Sequence, residues 1–145
     1  MAKMSRSALL MYSADEMYRL VNDVESYPDF LPGCVGAELL HRSEGLMRAS
    51  IKVSKAGISK TFTTENTLVD GKSITINLLD GPFSHLSGDW IFTELDEQAC
   101  KVNLELQFEF SNTLTRIAFG RIFNELVGAM VKSFAVRAKD VYGIR

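Results

Sequence analysis

The last third of this chain constrains its fold more than any other segment. Residues 114–142 carry a broad apolar stripe, rich in aromatics and interrupted by small residues, at the spacing of one long helix. At roughly 100° per residue, Phe119, Phe123, Leu126, Val127, Met130, Phe134, Ala138 and Val141 share one side, and Arg121, Glu125, Lys132 and Lys139 lie opposite. Just before it, Val102, Leu104, Leu106, Phe108 and Phe110 alternate with Asn103, Glu105, Gln107 and Glu109, the pattern of a half-buried strand. A curved sheet wrapped around the C-terminal helix is the simplest way to bury both stripes. Such an arrangement often encloses a pocket, so the function is sought in that interior, as binding rather than catalysis.

The remaining segments supply the sheet. Residues 5–11 read as a first strand. Ser13, with Glu16 three residues on, has the spacing of a capping box and opens a helix bearing Met17, Leu20, Val21 and Val24. Pro28 and Pro32 then limit residues 25–33 to a short turn-like or helical segment that displays Tyr27, Phe30 and Leu31. Six strand-like stretches follow, at 35–42, 46–54, 59–69, 73–79, 85–94 and 100–110. Turns such as Ser43-Glu44-Gly45, Asp70-Gly71-Lys72, Asp80-Gly81-Pro82 and Asp96-Glu97-Gln98 separate them. Ser111 or Asn112 caps the final helix. The order β-α-α-β6-α predicts an α+β fold with a seven-stranded curved antiparallel sheet, formed by residues 1–145 as a single domain.

Composition excludes several function classes. A formal net charge of −2 opposes nucleic-acid binding by global electrostatics and leaves only a local basic patch; DNA is not an expected partner. No apolar run reaches the ~20 residues of a membrane span. The N-terminal apolar stretch is too short for a signal peptide, which places the protein in the cytoplasm. Cys34 and Cys100 form no CxxC pair and read as buried thiols. His41 and His85 lack partners at metal-ligand spacing, so neither a metal nor any other cofactor is expected. Asp70-Gly71-Lys72-Ser73 ends like a phosphate-binding loop but has Asn66 where the first glycine belongs. Neither a nucleophile elbow nor a paired acid and base stands out, so no catalytic residue is assigned.

The converging apolar patterns place Met47, Ile51, Phe62, Phe83, Trp90, Phe92, Phe108, Phe123, Leu126, Met130 and Phe134 around the interior pocket, with Tyr27, Phe30 and Leu31 at its mouth. Arg137 falls within the apolar arc of the helix. It reads either as a snorkelling side chain at the helix end or as a polar anchor for a ligand head group in the cavity. Lys52, Lys55 and Lys60 bracket Ala56-Gly57-Ile58, either as a solvated hairpin tip or as a lid that touches an RNA backbone or, transiently, a membrane surface.

Four segments carry a family resemblance in the right order: residues 26–34 (SYPDFLPGC), 55–62 (KAGISKTF), 80–83 (DGPF) and 118–123 (AFGRIF). Together they resemble the bacterial ribosome association toxin family, within the coenzyme Q-binding START-like, or polyketide cyclase and lipid transport, superfamily. The resemblance implies a helix-grip fold with a hydrophobic tunnel and no cofactor. It implies as ligand an isoprenoid quinone such as ubiquinone, or another lipid, in support of respiration. For the toxin branch it implies binding to the large ribosomal subunit that blocks subunit joining. Two other functions stay open: a ribosome-binding translation inhibitor without a physiological ligand, and a small aromatase/cyclase-type enzyme.

Overall fold

The computed structural model describes residues 1–145. The alternating segments form strands β1 (Ala2–Leu10), β2 (Cys34–Ser43), β3 (Leu46–Lys55), β4 (Ile58–Val69), β5 (Ser73–Asp80), β6 (Phe83–Asp96) and β7 (Ala99–Phe110). They make one antiparallel sheet in the order β1-β7-β6-β5-β4-β3-β2. Helices α1 (Ala14–Asn22) and α2 (Thr113–Tyr142) complete the α+β architecture, with α2 lying against the concave face of the sheet. The segment expected as a second short helix is a 3-10 helix, Val24–Asp29, with Pro28 inside it. A proline there lacks the N–H that a longer α-helix would need, so the tighter turn is what survives.

Local chemistry sets the element ends. Ser13 and Glu16 form the full capping box: the Glu16 N–H donates to Ser13 Oγ at 3.1 Å and the Ser13 N–H to Glu16 Oε1 at 3.0 Å. At the other helix it is Asn112, not Ser111, that caps, its Oδ1 accepting from the Thr115 N–H at 2.8 Å. The β3–β4 hairpin turns on Ala56 and Gly57 alone, both with positive φ (53° and 81°), which the right-handed twist of a two-residue hairpin favours. Register shifts near Phe83 and Glu94 let β6 run further at both ends than alternation alone indicates.

The inward stripe of α2 buries Phe119, Phe123, Leu126, Val127, Val131, Phe134 and Ala138. Met130 is half-buried, and Val141, expected inside, is 49% exposed. Length explains the difference. At 1.5 Å per residue α2 is about 45 Å long, whereas its buried span from Phe119 to Ala138 covers only about 28 Å. Both ends therefore overhang the sheet, leaving Leu114 and Ile117 exposed as well.

The C-terminal overhang is tied back to α1. Arg145 makes a bidentate pair with Glu16 at 2.6 and 2.8 Å and holds its carboxyl below the usual carboxylate range. Its guanidinium also lies 5.2 Å from the Tyr12 ring centroid and 5.9 Å from that of Tyr142. The Tyr12 hydroxyl donates to the Gly143 carbonyl at 2.7 Å, and the Tyr142 hydroxyl to the Glu16 carbonyl at 3.0 Å.

Candidate ligand cavity and cationic surface

Between α2 and the concave sheet face lies a cavity of about 70 Å³, lined by 19 residues of which 17 are hydrophobic. Of the residues expected around it, Tyr27, Leu31, Ile51, Phe62, Trp90, Phe123, Leu126 and Met130 form its wall. The others lie elsewhere. Phe83 and Phe108 join Phe110, Phe119 and Phe123 in an aromatic cluster at one end, with ring centroids 4.8 to 6.4 Å apart. At the other end Phe134 meets Tyr27, Phe30 and Trp90, and Phe92 stacks on Trp90 beneath Tyr18 of α1. Met47 is buried beside Arg42, whose Nη2 approaches its sulfur at 3.3 Å. These side chains pack against one another and so present no free surface to the void.

The 25–33 segment is more closed than a mouth. Tyr27 and Leu31 are buried, and the Tyr27 hydroxyl donates to the Val21 carbonyl. Burial pushes the Tyr27 phenol far above its ordinary pKa. Phe30 is half-buried and outside the cavity wall, and the Arg137 guanidinium lies over its ring, 5.1 Å from the centroid. Arg137 is not among the wall residues; its guanidinium rests against the ring that meets Phe134.

The wall also contains residues that sequence reasoning missed, among them Val21 and Val24, Ile74 and Ile76, and Leu86. Thr64 and Asn66 are its polar members, 6% and 8% exposed. They follow Phe62 at two-residue steps on β4 and so share its inward face. That alternation was the available signal.

The lysine hairpin does not form one patch. Lys60 pairs with inward-facing Val53, and Lys55 falls two residues after it, whereas Lys52 pairs with Thr61 on the convex face. Lys55 is moreover engaged, its Nζ 2.6 Å from Glu125 Oε2 on α2. Arg121 reaches the other oxygen at 3.2 Å, and these two cations hold the Glu125 carboxyl below its usual range. A groove of about 760 Å³ between β1 and the first half of α2 gathers Arg6, Arg116 and Arg121 beside Glu109 and Glu125, with Arg121 already paired to Glu125.

Polar chemistry elsewhere is sparse. Burial raises the Cys34 thiol and takes Cys100 up to about 11, which leaves neither a nucleophile near neutral pH. His85 shares a hydrogen bond with Ser87 at 2.9 Å, and no cluster of three His, Cys, Asp or Glu exists that could hold a metal. No helix is long and apolar enough to cross a membrane.

Residues 10–135 match the family described as polyketide cyclase/dehydrase and lipid transport. The "Ribosome association toxin RatA" of Escherichia coli strain K12 is 56% identical over the whole chain and 92% of its own length. The chain belongs to this polyketide cyclase and lipid transport family, in its ribosome association toxin group. A more distant relative, "Coenzyme Q-binding protein COQ10 homolog B, mitochondrial" of Xenopus laevis, is 28% identical over 96% of the chain and 59% of its own length. In three dimensions the Zhui aromatase/cyclase from Streptomyces sp. R1128 superposes with a TM-score of 0.83, covering 95% of this chain and 93% of its own. At 19% identity that likeness speaks for the family fold and not for its chemistry.

Proposed function

We propose that this chain is a non-enzymatic protein that associates with the large ribosomal subunit, hindering subunit joining, and that its cavity holds an apolar ligand of the isoprenoid-quinone or lipid kind. The observation that carries the ribosomal part is the likeness, along the whole chain, to a protein named as a ribosome association toxin. For an acidic protein, contact with RNA needs a local cationic surface. Arg6 and Arg116, which make no ion pair, share one groove and offer that better than the hairpin lysines, which point to different faces of the sheet. Exposed Leu114 and Ile117 flank Arg116 in sequence and extend the surface for ribosomal protein contact.

Replacing Arg6, Arg116 and Arg121 together by Gln is expected to weaken co-sedimentation with purified large subunits, whereas Lys52→Gln with Lys60→Gln changes it little. Wild-type binding should fall with salt, and the triple variant should lose roughly 0.7–0.9 of log–log slope for each phosphate contact removed. Co-sedimentation unaltered in the triple variant would remove the groove from the interface.

The ligand reading is favoured by the cavity wall, where seventeen apolar residues and no cation or carboxylate suit an uncharged hydrophobic molecule. The same wall argues against an enzyme. Its one titratable group, Tyr27, is bonded to a carbonyl with its phenol pKa driven up, so no acid or base is available there near neutral pH. Size sets a condition: a cavity of roughly 150 Å³ accommodates benzene, and this one is about half as large. A ligand must displace side chains on entry, and half-buried, flexible Met130 is the wall residue best suited to yield. Native mass spectrometry of freshly purified protein is expected to show a mass increment matching a quinone or lipid. A spectrum of bare chain alone, from cells rich in quinone, would count against this half of the function.

A further inference from the structure

The cavity contains one polar side chain that the fold leaves unsatisfied. Asn66 is 8% exposed, lines the cavity, and its Oδ1 has no hydrogen-bond partner. A buried acceptor without a donor is costly, and such a group normally persists where something else supplies the partner. Around it the wall is apolar: Asn66 pairs across the sheet with Met47 on one side and Ile76 on the other. Thr64, two residues away on the same face, brings a second hydrogen-bonding side chain, while the Tyr27 hydroxyl in the wall is already donated to the Val21 carbonyl. Arg42, opposite Met47, is held by the Asn22 carbonyl at 3.2 Å and the Met47 sulfur, and does not line the cavity.

We propose that Asn66, with Thr64, is a head-group subsite that selects uncharged apolar molecules bearing a hydroxyl or carbonyl. This rests on the cavity being a ligand site. An amide carries both an acceptor and a donor, and no bond to Oδ1 fixes which of them faces inward. A ligand hydroxyl can donate to Oδ1, and a ligand carbonyl can accept from Nδ2 after a half-turn about χ2. The Thr64 hydroxyl can take either role one step along the strand. An ionised carboxylate or phosphate finds no cation in the wall, so its desolvation goes uncompensated and it is excluded.

Four probes of one carbon skeleton test this: farnesene, farnesol, farnesal and farnesoate at about pH 8, where the carboxyl is ionised. Their affinities are measured by titration calorimetry and by emission of the single tryptophan, Trp90, in the cavity wall. Wild type is expected to bind the alcohol and the aldehyde about three- to tenfold more tightly than the hydrocarbon, the scale of one added hydrogen bond, and to reject the anion. Asn66→Leu should erase that preference, keep farnesene affinity, and raise the melting temperature of the unliganded protein by removing the orphaned acceptor. Thr64→Val, which keeps the shape, should reduce the preference partly and guards against a failure of the first variant to fold.

Equal binding of farnesol and farnesene by wild type would overturn the subsite while leaving the cavity reading intact. So would a preference unchanged in both variants, which would assign Asn66 to a buried water only. Tight farnesoate binding would overturn the exclusion of anions. Binding of none of the four would remove the subsite together with the ligand reading beneath it.

Discussion

Gly88→Val is expected to destabilise the protein by about 3 kcal/mol or more, because the neighbouring strands β6 and β7 leave no room for a side chain at that point. A Cβ on Gly88 would lie 2.1 Å from the Glu105 carbonyl oxygen and 2.9 Å from the Leu106 Cα. Gly88 is paired with Leu106 on β7 and with Ile76 on β5, so the strand cannot back away without disturbing a ladder on either side. Overpacking usually costs about 1–3 kcal/mol, since flexible side chains give way; here the obstruction is backbone, and hydrogen bonds must break to relieve it. Urea unfolding followed by circular dichroism measures the loss. Gly36→Ala is the control, since its Cβ would sit 3.5 Å from the Lys52 Cβ, an ordinary contact. A Gly88 variant as stable as that control would mean the close crossing of β6 and β7 is absent in solution.

Phe134→Ala should cost about 3–5 kcal/mol, the range for deleting a fully buried phenyl ring. Phe134 has no exposed surface and is the common neighbour of Tyr27, Phe30 and Trp90, with centroids 5.3, 5.1 and 5.4 Å away. Removing it leaves three rings facing a void that no nearby small side chain can fill. At about 3 °C per kcal/mol for a chain of this size, melting falls by roughly 10–15 °C. Trp90 reports locally on the same event: its emission should shift to the red if water enters the new space. A loss below about 1 kcal/mol would show that the cluster can collapse around the gap, and that the 25–33 segment is held by something other than Phe134.

The sheet and the long helix were legible because their signals repeat. Alternation in Val102 to Phe110 and the stripe in α2 each place several apolar residues in agreement, and one dissenting position changes little. The site was less legible because lining a void and filling a core call for the same residue types. Phe83, Phe92, Phe108 and Phe134 face inward as the pattern indicates, yet touch other rings instead of empty space. Asn66 and Thr64 were hidden for the opposite reason: in Phe62-Thr63-Thr64-Glu65-Asn66 the inward positions are as polar as the outward ones, so alternation loses its contrast. Arg137 could be placed on a helix face from its number, but its contact with the Phe30 ring could not. Lys52, Lys55 and Lys60 bracket one hairpin tip in sequence, yet closeness in sequence does not fix which face of a sheet a side chain takes.

The pairing of β1 with β7 bears on how this chain comes into being. Ala2 lies opposite Phe108 and Leu10 opposite Cys100, so the earliest-made strand finds its partner only after nearly a hundred further residues. During synthesis, at about 5–20 residues per second, β1 waits for roughly 5–20 s with both edges unpaired. The hairpins from β2 onward can close in the meantime, each by local contact, but the concave wall has no rim and α2 has nothing complete to dock on. Contacts so distant along the chain slow folding, because loop-closure entropy is lost before they form. The nascent protein is therefore an open trough of apolar residues until its last helix leaves the exit tunnel, and the interior acquires its shape in one late, cooperative step.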